Sequence, residues 1–313
     1  GGQRPQHTPA LAVGLIVHGL GHPKIPPVPL SVVVVVETVL PSMAAMRTRA
    51  WVMKASALIM LCCEVAKSVG FDSYCIFTVD LTPQLRRKMR ETLQETGLPC
   101  SNFTIVLTSL IDLNAEIRRL TIDWAKRQVD IGYDFGSTKQ ILVPGEYVWE
   151  RQEVDPKVQW GWAVEGMREI ADYAHGLGIE TGLEFETPKH NIINSVESLE
   201  QMLDDIGLSY VKANVDFVHM YVVGDAPETL KKLKGRLLNV HFADGKGGVH
   251  AHWPPGSGVV PLKEYLAVLK EIGYTGTIQM ELEWSPEPAK IVEWVTDGYN
   301  STAKMMRELG MRA

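Results

Sequence analysis

The stretch that decides the fold lies between residues 182 and 281, where the chain reads GLEFE (182–186), VKANVD (211–216), LLNVH (237–241) and TIQME (277–281). Each is a short apolar run that carries an acidic or imidazole side chain at its end: Glu184, Asp216, His241 and Glu281. A carboxylate or imidazole at the C-terminal tip of consecutive strands is how a (β/α)8 barrel assembles a site. The separations are 32, 25 and 40 residues. A barrel of about 250 residues averages about 31 per βα unit, so the spacing fits one such group per strand, the widest gap holding a loop from Asp244 to Gly258.

Working outward, short β-rich runs alternate with amphipathic helical runs from about residue 70 onward, as repeated βα units around a parallel sheet do. Seven strands are expected, at Tyr74–Val79, Phe103–Thr108, Gln140–Val143, Glu180–Phe185, Val211–Val215, Leu237–Phe242 and Thr277–Leu282. The eighth comes from the N-terminal segment, with Leu11–His18 and Val32–Val36 both qualifying. Asp155-Pro156 reads as an N-cap with proline at the first helical position, and the run His175-Gly176-Leu177-Gly178 ends that helix. Asn194 and Glu197 have capping-box spacing for the next helix, and Ser285–Leu309 reads as the closing one. No G-x-G-x-x-G follows any of these strands, so an open dinucleotide-binding sheet loses its usual support. The expectation is an α/β fold, a (β/α)8 TIM barrel with an irregular N-terminal segment, in one domain over residues 1–313. Residues 19–53, with four prolines before five valines, read as an inserted loop or interface arm.

The bulk numbers bound the function. With 313 residues, 45% of them hydrophobic, the chain can bury a large core. Its 37 acidic against 31 basic residues give a net charge of −6 without a basic block, which argues against nucleic acid. The most apolar stretches, Leu30–Val36 and Ala55–Cys63, fall short of the roughly 20 residues of a membrane span, so no membrane is expected. Cys62, Cys63, Cys75 and Cys100 lack C-x-x-C spacing and read as buried thiols of a reducing compartment, the cytoplasm being the default. The basic run Gln84–Arg90 reads as a solvated helix face.

Three carboxylates and one imidazole make an oxygen-rich donor set that suits Mn²⁺ or Mg²⁺, with Co²⁺ as a further option, better than a thiolate-bound structural zinc.

Residues 70–310 resemble the xylose-isomerase-like barrels of sugar isomerases and epimerases, a superfamily that includes the ketose 3-epimerases. The resemblance rests on LEFE around Glu184, NVDFVHM at 214–220, NVHFAD at 239–244, PPGSG at 254–258 and MELE at 280–283. It implies that Glu184, Asp216, His241 and Glu281 bind one divalent metal, that Glu184 and Glu281 act as bases on opposite faces of a substrate, and that His219 contacts a sugar oxygen. The chemistry is coherent, because removing a proton beside a carbonyl needs a Lewis acid at the oxygens and a base at the carbon. Two departures bear on the substrate. Where ketose 3-epimerases carry a second glutamate six residues after the first ligand, this chain has His190; where they carry an arginine six residues after the ligand histidine, it has Gly247 beside Lys246.

A closer resemblance, in VPGEYVWERQE at 143–153, QWGWAVEG at 159–166 and DGKGGVHAHWPPG at 244–256, is to the large subunit of C-glycoside deglycosidases. That branch acts on 3-oxo-glycosides with a Mn²⁺-type barrel beside a small β-rich subunit, which implies an oligomer. His190 then becomes a candidate acid–base group. Expected substrate contacts are His219, Lys246, His250 and Glu146, the last being equally a loop residue paired with Arg151. Trp149, Trp160 and Trp162 form an aromatic wall for a sugar or aglycone, or pack beneath a loop. His250 and His252 alternate on a glycine-rich loop and would face opposite sides if extended, which disfavours a second metal there.

The first expectation is therefore a lyase that cleaves 3-oxo-C-glycosides. The alternatives are a ketose 3-epimerase or sugar isomerase, and a non-catalytic barrel subunit whose valine run and proline-rich arm serve an interface.

Overall fold

Eight parallel strands follow one another around a closed barrel in the order of the chain. They are β1 (Leu30–Val34), β2 (Ser73–Phe77), β3 (Cys100–Leu107), β4 (Lys139–Pro144), β5 (Glu180–Glu184), β6 (Val211–Asp216), β7 (Leu237–Phe242) and β8 (Thr277–Leu282). The computed structural model describes residues 27–34, 63–77, 82–144, 154–187, 191–283 and 290–312. Between the strands run α1 (63–69), α2 (Pro83–Thr96), α3 (Ala115–Asp134), α4 (Pro156–Gly176), α5 (Val196–Ile206), α6 (Phe217–Val223), a 3-10 helix at Pro227–Leu233 and α7 (Leu262–Glu271). Helix α8 (Ile291–Glu308) closes the ring. No helix among the described residues is long and apolar enough to cross a membrane.

The (β/α)8 expectation is met, and the seven expected strands are found with ends shifted by up to three residues. The eighth is the valine-rich candidate. Leu30–Val34 pairs in parallel with both β2 and β8, which corrects the reading of 19–53 as wholly an inserted loop or interface arm. With a hydrogen-bonded neighbour on each side this strand has no free edge, which the apolar run alone does not reveal. Leu11–His18 lies outside the described residues.

Local signals place the helices. Asp155 caps α4 through Lys157 N, with Pro156 in the first turn, and Gly178 after its end takes φ +77°. The capping box of α5 is one residue later than expected. Ser195 accepts from Ser198 N while Ser198 Oγ accepts from Ser195 N, so the pair is Ser195 and Ser198 instead of Asn194 and Glu197. The Asn194 amide donates to Asn191 O, which takes it away from the cap.

The described thiols Cys63, Cys75 and Cys100 are buried and form no disulfide with one another. Arg86 of the basic run reaches Asp134 at 3.2 Å, and Arg87 and Arg90 stay exposed, as a solvated face requires.

The outer faces of the strands meet the helices, and α3 packs closely on β3 at Gly132. A Cβ at Gly132 of α3 would come within 1.9 Å of the buried Phe103 ring of β3. Inside the barrel the side chains are unusually polar. The Asn102 amide of β3 donates to Gln279 Oε1 of β8 at 2.6 Å, and because those strands are not neighbours the bond crosses the lumen. Asn239 donates to Asn214 Oδ1 at 2.8 Å, and the Cys75 thiol donates to Asn102 Oδ1 at 2.9 Å. These amide-to-amide bonds tie facing strands together across the lumen floor, with Asn214 Nδ2 left buried without a partner.

Gly132→Ala is expected to destabilise the barrel by about 1–3 kcal/mol through overpacking against Phe103, read as a lowered denaturant midpoint with an unchanged slope. A Gly132→Ala variant as stable as the parent would remove the close-approach argument.

Candidate metal and substrate site

The strand register brings the four expected ligands together. Asp216 on β6 pairs with His241 on β7, and Glu184 on β5 pairs with Asn214, two residues before Asp216. Side chains two apart share a strand face, so Glu184, Asp216, His241 and Glu281 all project into the upper lumen. All four are buried, and one ligand atom from each lies within 4.8 Å of every other. His241 Nδ1 is 2.7 Å from Glu184 Oε1 and 2.8 Å from Glu281 Oε2. Asp216 caps α6 by accepting from His219 N at 2.9 Å through Oδ1. Its Oδ2 is buried without a well-aligned hydrogen bond, His252 Nε2 being its ion-pair neighbour at 3.2 Å.

Charge decides what this cluster can hold. Isolated ionised carboxylates in a dry interior are costly, and three around one imidazole exceed what one proton can balance. Burial works against ionisation of the Asp216 carboxyl, yet the His219 and His252 charges hold it well below the usual range. Burial also opposes the His241 charge, but Glu184 and Glu281 carry its pKa well above the ordinary value. A divalent cation fits this donor set: oxygen-rich, one imidazole nitrogen, one carboxylate oxygen short of a partner.

A second tier of residues surrounds these four. Gln279 approaches the other nitrogen of His241, Nε2, at 3.1 Å and orients the ring. His219 Nδ1 is 2.8 Å from Phe185 O, and its Nε2 is 3.6 Å from Glu186 Oε2. Glu186 is driven up to about 7 by burial first, with Glu184 and Glu281 adding to the rise and His219 opposing it. His252 Nδ1 lies 3.0 Å from Glu283 Oε2. His250 Nε2 is 2.9 Å from His219 Nε2, and burial followed by the neighbouring imidazoles His219 and His252 pushes its pKa down to about 3.

The loop after β7 delivers the last two histidines, and Asp244 fixes it. The Asp244 carboxylate accepts from Gly245 N and Val260 N through Oδ1 and from Gly256 N through Oδ2, at 2.9–3.0 Å. Asp244 and Trp253 also exchange both backbone bonds as an antiparallel bridge. A Cβ at Gly258 would stand 2.3 Å from Asp244 Oδ1, so the second glycine of PPGSG is required by the approach of that carboxylate. The loop is therefore folded back instead of extended, which overturns the expectation that His250 and His252 face opposite sides. Their ring centroids are 5.0 Å apart.

Of the other expected contacts, Lys246 is exposed, with its ammonium over the Trp253 ring at 5.1 Å. Glu146, His190 and Trp149 lie outside the described residues. Trp160 donates to Asp205 on α5 at 2.8 Å, and Trp162 lies under Arg118 of α3 at 3.9 Å, so both are engaged by neighbouring helices. Glu186, Gln279 and Glu283 were not singled out in the sequence. The signal was there, since each stands two residues from a ligand in GLEFE or QMELE and so shares its strand face.

Comparison with known proteins follows this geometry. The model of the xylose isomerase-like TIM barrel family matches residues 63–309. Fructoselysine 3-epimerase of Shigella flexneri is 25% identical over 53% of this chain and 60% of its own length. D-psicose 3-epimerase of Agrobacterium fabrum is 31% identical over 42% of this chain and 44% of its own. Inosose isomerase of Bacillus velezensis is 25% identical over 73% and 84%. The chain thus spans about half the length of the first two of these relatives. Among solved structures, the IOLI protein with a bound zinc atom superposes with TM-score 0.68 at 20% identity, over 82% of this chain and 96% of that one. D-psicose 3-epimerase in the presence of D-fructose gives 0.69 at 19% identity, over 80% and 94%. The three relatives named here are epimerases and an isomerase, which favours the isomerase or epimerase alternative over the C-glycoside lyase.

Glu184→Gln and Asp216→Asn are each expected to lower divalent-metal affinity by at least about 10-fold. Equilibrium dialysis against Mn²⁺ with elemental analysis measures it. Chelation of the parent is expected to lower its melting temperature, since about 2.7 kcal/mol accompanies saturation at 100 times Kd. Full metal content in both variants would break the ligand assignment.

Proposed function

Starting from a chain that belongs to the xylose isomerase-like TIM barrel family, we propose that it is a divalent-metal-dependent sugar isomerase or epimerase that moves a proton at the carbon beside a sugar carbonyl. The observation that carries this reading is the convergence of Glu184, Asp216, His241 and Glu281, all buried, at one point of the upper lumen. These four residues would hold the ion, with Mn²⁺, Mg²⁺ and Co²⁺ as the candidates. When bound, it supplies Lewis-acid polarisation of the carbonyl and adjacent hydroxyl oxygens.

The chain's own groups divide the remaining work. Glu184 and Glu281 come from β5 and β8 and approach the cluster from different sides, which suits one to take the proton and the other to return it. Return to the opposite face inverts the carbon, and return to the neighbouring carbon isomerises. His219, held through Nδ1 by the Phe185 carbonyl, presents Nε2 for a sugar oxygen, with His250 beside it. Glu186 at 3.6 Å from His219 Nε2 can carry or accept the proton that such a contact shifts. The Asp244 loop places His250 over this tier and excludes water from it. Lys246, exposed on the loop after β7, belongs to the rim in this reading.

The relatives' names support a substrate of the ketose or inosose class. His190 and Gly247, at positions where the ketose 3-epimerases carry glutamate and arginine, favour one lacking the polar chain end that those groups hold. A 3-oxo-glycoside meets that description, and it keeps the C-glycoside lyase as the second outcome of the same proton abstraction, with loss of a β-substituent in place of reprotonation.

Solvent deuterium exchange tests the reading whichever product forms. The Mn²⁺-loaded protein in D₂O is expected to label at least one member of a panel of ketohexoses, inososes and 3-oxo-glycosides beside the carbonyl. Glu281→Gln should slow that exchange by about 10²-fold or more. Free aglycone from a 3-oxo-C-glycoside without ketose interconversion would move the assignment to the lyase. No label in any member from the loaded protein would overturn both.

A further inference from the structure

The N-terminal end of the barrel carries charge that the chemistry above leaves unused. Lys139 opens β4, Glu180 opens β5, Thr277 opens β8, and Lys212 is the second residue of β6. Lys212 shares a strand face with Asn214 and Asp216, and Thr277 shares one with Gln279 and Glu281, so both stand on the lumen side. Asp216 lies four residues beyond Lys212, about 13 Å along the strand, which sets this mouth apart from the carboxylate cluster. The Lys139 ammonium donates to Thr277 Oγ1 at 3.4 Å. Since β4 and β8 lie on opposite sides of the ring, the Lys139 side chain spans the opening.

Lys139 is short of partners. Among the described residues it makes no ion pair, and the Thr277 hydroxyl is its one hydrogen bond for three N–H donors. Glu180, its neighbour in the β4–β5 register, gives its carboxylate to Lys212 at 2.7 Å. Arg236, just before β7, is paired with Asp204 at 2.8 Å. Two ammonium groups thus stand with one carboxylate, a local positive excess in a chain whose net charge is −6. Burial pulls the Lys139 pKa below its ordinary value, with Glu180 opposing the fall and Lys212 adding to it. A half-buried ammonium with one weak partner lacks the counter-charge that makes burial tolerable.

We propose that the N-terminal mouth of the barrel binds one small oxyanion of the phosphate class, held by the ammonium groups of Lys139 and Lys212 with the Thr277 hydroxyl as a further donor. The anion supplies the negative charge that Lys139 lacks, and lysine serves such ligands as a compact point charge. Access is from solvent, since the Lys212 and Glu180 side chains beside it are 31% and 42% exposed. A hydroxyl can turn to donate to an oxyanion, and Thr277 is buried at the end of the Lys139 side chain, where it has no other role in the site above. The ion takes no part in the proton transfer at the opposite end of the lumen, so this site stands or falls independently of the isomerase or epimerase reading.

Calorimetric titration of the full chain with inorganic phosphate, at an ionic strength held constant with chloride, tests the site. One phosphate per chain is expected, and Lys139→Met should weaken it by at least about 10-fold, the scale of a lost hydrogen bond to a charged group. Lys139→Arg keeps the charge and should keep the binding. Without phosphate, Lys139→Met should melt no lower than the parent, because it removes a charge that has no ionic partner. A phosphate monoester titrated in parallel distinguishes the source of the ligand: tighter binding than inorganic phosphate supports a phosphorylated metabolite, and equal binding supports the free ion. No saturable phosphate binding in the parent, or equal affinity in folded Lys139→Met, would overturn the proposal and leave Lys139 as a plug of the barrel mouth.

Discussion

The structure turns on an electrostatic constraint: three carboxylates and an imidazole are buried at one point of a lumen that water cannot reach freely. In a medium of low polarity like charges at this separation oppose one another strongly, and a bound divalent cation would relieve that opposition. The strand register that brings Glu184, Asp216, His241 and Glu281 together works against folding unless that charge is balanced. Stability and function are therefore coupled at this point, and the remaining features of the site can be understood as support for it.

That support comes in tiers set by the period of a β-strand. Below the four clustered residues the same strand faces carry Asn214, Asn239 and Gln279, which bond to one another and to Asn102 across the lumen. Above them the same faces carry Glu186 and Glu283, which reach His219 and His252. Of these four strands β8 alone lines up the full column Gln279, Glu281 and Glu283, whereas β5 leads to the middle and top with Glu184 and Glu186, and β6 and β7 supply the floor and middle with Asn214, Asp216, Asn239 and His241. The Asp244 loop then folds back over the column tops and brings His250 and His252 to them.

Much of this was legible in the chain. The (β/α)8 class, seven of the strands and the four-residue cluster followed from apolar runs ending in ligand-type side chains at spacings near one βα unit. Capping signals placed α4 correctly because Asp155 and Pro156 act on adjacent backbone. The box at α5 shifted by one residue because Asn194 had a competing backbone partner that local spacing does not reveal. The valine run stayed ambiguous between the eighth strand and an interface arm for a related reason, since its pairing with β2 and β8 is not written in its composition. Glu186, Gln279 and Glu283 went unnoticed although period-two reasoning from the ligands would have found them.

Residue types and spacing by themselves determined the barrel and the strands that bear Glu184, Asp216, His241 and Glu281, because these depend on interactions within a strand or between neighbours in the chain. Only the tertiary structure decided that β1 is the valine-rich segment, that Lys246 sits over Trp253 away from the cluster, and that His250 and His252 meet His219. The physical reason is that these outcomes depend on contacts between distant segments: the closure of β1 against β8, and a loop whose path is fixed by one buried carboxylate binding three backbone amides. No local propensity encodes where such a loop will carry its side chains.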